Sequence, residues 1–283
     1  MNARLAINPV ASTLIAAIVG GAALVASSSA TAQVVLPAPV VNLTFDNRSE
    51  TVSGATAWTS NTPSGAGSAL SLSTGAAGFA STSATPIGGL SAFTVTMWVN
   101  LQALPTANDR LLSSLVSNNG IDLRIAAPQQ GTLSASDFSL TLQVNGTSAS
   151  STSLVNVRDF NAGNQWAFVA VTYSGTQVRF FDGGTSTSAT ALAPTGAVPL
   201  TAGSIGSTTT LQIGATPATA ADRTPPGWFD EVRIYDSVLT LSQIEQVRLD
   251  NVTAIPEPGA AAIAMGIPAL FASAALRRRK HSR

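Results

Sequence analysis

The side chains able to perform covalent or acid–base chemistry are few in this 283-residue chain. Cysteine is absent, and the single histidine, His281, lies in a basic C-terminal tail. Histidine and cysteine supply most general bases, thiol nucleophiles and zinc ligands in proteins. The residues before the tail therefore exclude serine–histidine and cysteine–histidine catalysis, together with imidazole and thiolate metal sites, and they leave carboxylate chemistry.

The carboxylates do not have the spacing of a hydrolytic site. Glycosidases use two carboxyl groups that face one cleft, and alternate positions of a β-strand place two side chains on one face. The glutamates before the tail have no acid two positions away; they are Glu50, Glu231 and Glu245. Asp230 and Glu231 are adjacent, so a regular strand directs them to opposite faces. We therefore predict that the protein is not an enzyme.

Tryptophan side chains are the candidates for binding a sugar ring. Trp58 lies close to a turn-rich stretch, and Trp98 lies on the polar side of an alternating strand. An exposed aromatic ring beside polar groups is a common element of ligand sites. The alternative for Trp98 is that it covers the second face of its sheet or packs under a loop.

Short strands with period-two alternation must position these residues. The clearest runs from Phe93 to Leu101, where every second residue is apolar. Similar runs recur at spacings of about 8–12 residues between polar turns, which is typical of a β-sandwich. After the last strand, Thr240 and Gln243 form a capping-box pattern for one short helix, with Leu241, Ile244 and Val247 as its apolar stripe. The predicted fold class is all-β.

The N-terminal end reads as a secretory signal peptide over residues 1–32. Arg4 supplies the positive charge, residues 14–25 the apolar region, and Ala30-Thr31-Ala32 the small residues of a cleavage site. Signal peptidase is thus an expected partner. The remaining domain, 33–254, keeps eight basic residues and thirteen acids, a net charge of −5 without lysine. This balance argues against nucleic-acid binding.

The C-terminal end, residues 255–283, reads as a membrane segment. Residues 259–276 carry no charge and as a helix would cover about 27 Å, marginally enough for a bilayer core. A cluster of cations follows and is expected to stay in the cytoplasm; it contains Arg277, Arg278, Arg279 and Lys280. His281 is expected to be one more member of this cluster.

The tripeptide Pro256-Glu257-Pro258, the single short span and the final basic cluster together resemble the PEP-CTERM sorting signal of Gram-negative bacteria. This resemblance implies processing by the membrane protease exosortase near the tripeptide. The two prolines favour an extended segment that a protease can bind. The alternative is a plain tail anchor.

Five segments resemble, in order, the blocks of the LamG-like concanavalin A jelly roll, a laminin-G/pentraxin-type lectin domain. They are residues 41–46, 93–99, 165–173, 178–183 and 227–235, the last reading Gly-Trp-Phe-Asp-Glu-Val-Arg-Ile-Tyr. The resemblance implies a concanavalin A-like jelly-roll β-sandwich over most of 41–249. The chain departs from the family pattern after Trp166, where Ala167 and Phe168 replace the histidines that often follow that tryptophan.

Related jelly rolls often hold a structural ion, usually calcium, with acids from the first and last strands. Asp46 and Asp230 are the positions that match it, and hard cations take such oxygen ligands. The alternatives are that Asp46 opens a turn with Asn47 and that Asp230 pairs with a nearby arginine.

These features predict an exported protein, transiently anchored in the membrane and finally placed at the cell surface or in the extracellular matrix. Its lectin-like domain would bind or associate with exopolysaccharide. The alternative is a structural surface protein that has no dedicated ligand.

Overall fold

The structure is a computed structural model. It describes residues 34–54, 56–73, 78–102, 108–126, 139–151, 166–186, 192–194, 196–217 and 223–252. The cleavage residues Ala30 and Ala32, the tripeptide Pro256-Glu257-Pro258, the predicted membrane helix 259–276 and the basic residues 277–280 lie outside the described residues. Within the described part of the chain, no helix has the length and apolar character that crossing a bilayer requires.

Short strands dominate the described chain, and one α-helix follows the last of them. The strands are β1 (Val41–Leu43), β2 (Thr51–Ser53), β3 (Thr56–Thr59), β4 (Ala69–Leu72), β5 (Phe79–Ser83), β6 (Phe93–Leu101), β7 (Arg110–Ser113), β8 (Ile121–Ala126), β9 (Ser139–Val144), β10 (Thr147–Ser150), β11 (Ala167–Tyr173), β12 (Gln177–Gly183), β13 (Leu192–Pro194), β14 (Val198–Pro199), β15 (Thr210–Ile213) and β16 (Gly227–Tyr235). The helix α1 is Leu241–Asp250.

The strands form two antiparallel sheets. Sheet A has nine strands in the order β13–β12–β11–β6–β16–β4–β3, with β1 also paired to β16 and β14 to β12. Sheet B has seven strands in the order β10–β9–β8–β7–β15–β5–β2. The predicted all-β jelly-roll sandwich with one short helix after the last strand is confirmed.

The main core lies between the two sheets. Alternate residues of β6 enter it, as the period-two pattern predicts: Val95, Met97, Val99 and Leu101. They meet the apolar faces of sheet B, such as Leu123 on β8 and Leu142 on β9. All nine residues of β6 are buried, so both faces of this strand are covered.

The helix α1 covers the outer face of sheet A and forms a second apolar core. Thr240 and Gln243 make the predicted capping box, in which the Thr240 Oγ1 accepts the Gln243 N–H at 3.3 Å. Ile244 and Val247 are buried in this second core. The prediction for Leu241 is wrong, because its side chain is 50% exposed. Leu241 is the first residue of the helix and is absent from the second core.

A β-bulge interrupts β16 halfway along its length. The pairing of β16 with β6 shifts between Asp230 and Arg233. Phe229 and Val232 both reach the main core, and their separation of three positions marks the extra residue. Glu231 has a positive φ of 52° there. On the other edge of β16, the partner changes at this point from β4 to β1.

Candidate functional site

The change of partner beside the bulge brings carboxylates from distant parts of the chain together. Asp46 lies in the turn after β1, and its Oδ1 accepts the Ser68 N–H at 3.1 Å just before β4. Asp230 is only 4% exposed, and its Oδ1 accepts the Glu231 N–H at 2.9 Å. Gly67, with φ of +88°, lets Asp46 approach, since a Cβ there would lie 1.8 Å from the Asp46 Oδ1.

These acids make ionisation at the bulge unfavourable. Burial raises the pKa of Asp230 to about 8, and the charges of Glu231 and Asp46 add to the rise. Burial also raises the pKa of Glu231, with Arg233 opposing and Asp46 reinforcing that rise. The bulge also breaks the regular alternation of side chains between Asp230 and Glu231. The prediction that a regular strand directs these two side chains to opposite faces is therefore wrong, because the strand is not regular here.

Arg233 forms its ion pair with Glu231 and not with Asp230. Its Nη2 contacts the Glu231 carboxylate, and its Nε donates to the Asn42 Oδ1 at 3.1 Å. The Arg233 charge lowers the Asp230 pKa, but less than burial and the neighbouring acids raise it. Asp46 does lie in a turn with Asn47, as the alternative for that residue expects.

The bulge has some of the donors that a hard cation requires. Among the described residues, no group of three His, Cys, Asp or Glu side chains is placed to hold a metal ion. A cation here would therefore depend on Asp46 and Asp230 with backbone carbonyl oxygens, which calcium accepts readily. Asp230 is a buried acid whose ionised form is destabilised by the neighbouring negative charges. A bound cation would stabilise that ionised form, so this site suits a cation.

The structure separates the two predicted sugar-binding tryptophans. Trp98 is 0% exposed and packs against α1 in the second core, with its ring 5.3 Å from that of Phe168 in an edge-on arrangement. The prediction of Trp98 as a sugar platform is therefore wrong, since neither ring face is available, and the alternative of covering the second sheet face is confirmed. Trp58 is half-buried on the edge strand β3, 6.2 Å from the ring of Phe45.

The outer face of sheet B carries polar side chains that the sequence pattern did not single out, and three of them, Ser113, Asp122 and Thr141, are buried. We call this face the sheet B polar face. Two cross-strand rows define it: Ser113, Asp122, Gln143 and Ser148 in one, and Arg124, Thr141 and Ser150 in the other. The residues between them on the same strands point into the main core, for example Leu123 and Leu142. The signal available in the sequence was the alternation of Asp122 and Arg124 with apolar residues along β8.

A buried ion-pair network lies at the centre of this face. Asp122 is fully buried; its Oδ1 lies 2.8 Å from the Arg110 Nε and its Oδ2 lies 2.9 Å from the Arg124 Nη1. Arg124 also donates to the Gln143 Oε1 at 2.7 Å and keeps 18% of its side chain exposed. Burial raises the pKa of Asp122, while the Arg110 charge opposes the rise. The network holds the Arg124 guanidinium, the most exposed of the three charged groups, in a fixed position.

Sequence comparison decides the family. A profile described as the Concanavalin A-like lectin/glucanases superfamily matches residues 73–245, which is more than half of the chain. The chain belongs to this superfamily. The matched part of the lectin/glucanase-like domain contains Asp230, Asp122 and Arg124, whereas Asp46 precedes it.

Solved structures share the fold of this lectin/glucanase-like domain. Domain 4 of AbnA, a GH43 extracellular arabinanase from Geobacillus stearothermophilus in complex with arabinotriose, aligns with a TM-score of 0.50 at 16% identity. The alignment covers 74% of this chain and 98% of that chain. The botulinum neurotoxin serotype G binding domain aligns with a TM-score of 0.50 at 12% identity, over 75% of this chain and 50% of that chain. No curated protein matches the sequence.

Proposed function

We propose that the protein is an exported surface protein whose lectin-like domain binds polysaccharide without hydrolysing it. The sheet B polar face is the observation that carries this proposal. A sugar offers hydroxyl groups that both donate and accept hydrogen bonds, and a fixed array of guanidinium, amide and hydroxyl groups matches them. The arabinotriose complex of the arabinanase domain supports the choice of ligand class.

Arg124 and Gln143 are the residues of this face that we expect to contact sugar. Asp122 is fully buried and its oxygens are occupied by two arginines, whereas Arg124 retains exposed surface. Gln143 accepts from Arg124 through its Oε1, which leaves its amide N–H groups as donors for a ligand. Trp58 remains a candidate for an additional contact at the edge of sheet A.

The positions of the glutamates support the non-catalytic part of the proposal. Glu231 lies on β16 in sheet A, Glu245 lies in α1, and Glu50 precedes the edge strand β2. None of them lies in the rows of the sheet B polar face. A pair of carboxyl groups facing one cleft, which glycoside hydrolysis requires, has no counterpart in those two rows.

A glycan-array screen of the full chain, with arabinotriose among the probes, tests the proposal. We expect Arg124→Ala and Gln143→Ala each to weaken binding of the retained glycan about tenfold, because each removes hydrogen bonds to the ligand. Arg48→Ala, which changes an arginine near Ser68, is the control for charge. Unchanged binding in both variants would remove the sheet B polar face from the proposal.

A second function is favoured by one observation, the burial of Trp98. A structural surface protein without a dedicated ligand needs no exposed aromatic platform, and Trp98 does not provide one. The glycan array separates the two functions, since a structural protein would retain no glycan at millimolar concentration.

We also propose that Asp46 and Asp230 hold a structural calcium ion, together with backbone carbonyl oxygens. An ion there would join the chain after β1 to the bulge of β16, and so connect the two ends of the domain. The raised pKa of Asp230, at about 8, supports this proposal, because an adjacent cation would relieve the cost of ionising a buried acid.

Export rests on the two ends of the sequence. We propose that signal peptidase cleaves after Ala32 and that exosortase processes the chain near Pro256-Glu257-Pro258, after transient anchoring by residues 259–276. Replacing the tripeptide by three alanines should change the size of the mature protein on a denaturing gel. An unchanged size would favour a plain tail anchor.

A further inference from the structure

A cavity of about 300 Å³ lies on the outer face of sheet A, beside the segment that enters α1. Strands β11 and β12 with their connecting turn form one wall, and residues 238–241 form the other. Its volume is at the lower end of the range for small-ligand pockets, about 300–1,000 Å³. We call it the α1 cavity.

The two walls of the α1 cavity differ in chemistry. The wall formed by β11 and β12 carries the exposed polar side chains of Ser174, Gln177 and Arg179, with the buried Phe181 beneath them. The opposite wall carries Val238 and Leu241, which are 45% and 50% exposed. Large exposed apolar side chains beside a cavity mark binding surfaces more often than isolated ones do. A ligand that fits must therefore have one polar side and one apolar side.

The charge of the cavity specifies the ligand further. Among the described residues that line it, Arg179 is the one charged side chain. The domain as a whole is acidic, with a net charge of −5 over residues 33–254, so a cavity lining whose one described charged residue is an arginine is a local exception. A guanidinium binds a carboxylate through two parallel hydrogen bonds, a geometry that a neutral hydroxyl cannot match.

We propose that the α1 cavity binds one carboxylate-bearing sugar residue, a uronic acid, of an acidic polysaccharide. The carboxylate pairs with Arg179, and the ring hydroxyls bond to Ser174 and Gln177. The C–H face of the ring packs against Val238 and Leu241. The α1 cavity lies on sheet A, and the sheet B polar face lies on the far side of the main core. The two sites are therefore separate, and this proposal holds whether or not the sheet B polar face binds glycan.

Isothermal titration of the full chain with glucuronate and with glucose tests the proposal. We expect glucuronate to bind and glucose to bind at least about tenfold more weakly, because glucose lacks the charge-assisted pair. Binding of glucuronate should weaken as salt rises, since an exposed ion pair is screened. Equal binding of the two sugars would overturn the proposal, and so would the absence of glucuronate binding.

Variants locate the binding. Arg179→Gln keeps hydrogen-bond donors and removes the charge, and we expect it to weaken glucuronate binding about tenfold. Val238→Asp places a like charge beside the ligand at a 45% exposed position, and we expect a similar loss. Arg48→Gln is the matched control and should bind as the wild type does. If Arg124→Ala weakens glucuronate binding and Arg179→Gln does not, the acid binds at the sheet B polar face and the proposal fails.

Discussion

The ionisation of Asp230 should make the stability of the domain depend on pH in an unusual direction. Its pKa is about 8 in the folded protein, against 3.8 for an unperturbed aspartate. Between these values the folded state binds a proton that the unfolded state has lost. The contribution of Asp230 to the free energy of unfolding is therefore greatest below about pH 4, and it decreases as the pH rises towards 8.

The magnitude follows from linkage. One group that differs by one proton contributes about 1.4 kcal/mol per pH unit. Between pH 5 and pH 7 the free energy of unfolding should thus fall by about 3 kcal/mol on account of Asp230. For a domain of this size that corresponds to about 6–12 °C in Tm. Burial also raises the pKa values of Glu231 and Asp122, which gives further slopes of the same sign.

Asp230→Asn isolates the contribution of this one residue. The amide oxygen can still accept the Glu231 N–H, while no charge is buried. In metal-depleted buffer we expect the variant to be more stable than the wild type at pH 7, with a gap that narrows by about 3 kcal/mol on going to pH 5. Thermal melts followed by circular dichroism at pH 5, 6, 7 and 8 measure the gap. Asp236→Asn, an exposed acid after β16, is the control.

Calcium provides the second half of this test. A bound cation keeps Asp230 ionised in the folded state, so millimolar calcium should raise the wild-type Tm most at high pH and leave Asp230→Asn almost unchanged. Parallel pH profiles for the wild type and the variant without metal would refute the buried neutral acid. An equal response of both proteins to calcium would place the ion elsewhere.

Three further substitutions test the packing around the sites. Trp98→Ala should lower the free energy of unfolding by about 3–5 kcal/mol in a urea titration, because it empties the second core; a loss near zero would mean that the ring is not buried. Asp122→Ala leaves Arg110 and Arg124 without their shared partner and should cost about 3–5 kcal/mol, whereas a neutral effect would show that solvent replaces the pair. Thr240→Ala removes the helix cap and should cost about 1 kcal/mol, with Ser242→Ala as an exposed control that should cost less.

Much of the fold could be predicted from local pattern. The strand Phe93–Leu101 and the helix cap at Thr240 both depend on residues close in sequence. These two elements were predicted correctly because the strand period and the capping box are each encoded within a few residues.

The sites were harder to predict, because their partners come from far along the chain. Alternation placed Trp98 on the outer face of β6 but could not show that Ile244 and Val247 would cover it. The adjacency of Asp230 and Glu231 suggested opposite faces, and a bulge, which has no strict sequence signature, changed that outcome. The sequence shows Asp122 as a polar residue within a strand. It does not show that Arg110 is the second ion-pair partner of Asp122, because that contact depends on the pairing of β7 with β8.

The position of β16 constrains how the domain can be made. This strand is the last one among the described residues, yet it lies inside sheet A, where it pairs with β6 on one edge and with both β4 and β1 on the other. Its pairing with β6 spans more than 120 residues of sequence. A chain that emerges from its N-terminus can therefore form hairpins such as β11–β12 early, but it cannot join β1 and β4 to the rest of sheet A until residue 227 and its successors have arrived. A nascent or truncated chain that stops before β16 would leave β1, β4 and β6 without this partner, and the unpaired edges make it a target for proteolysis and aggregation until β16 has been made.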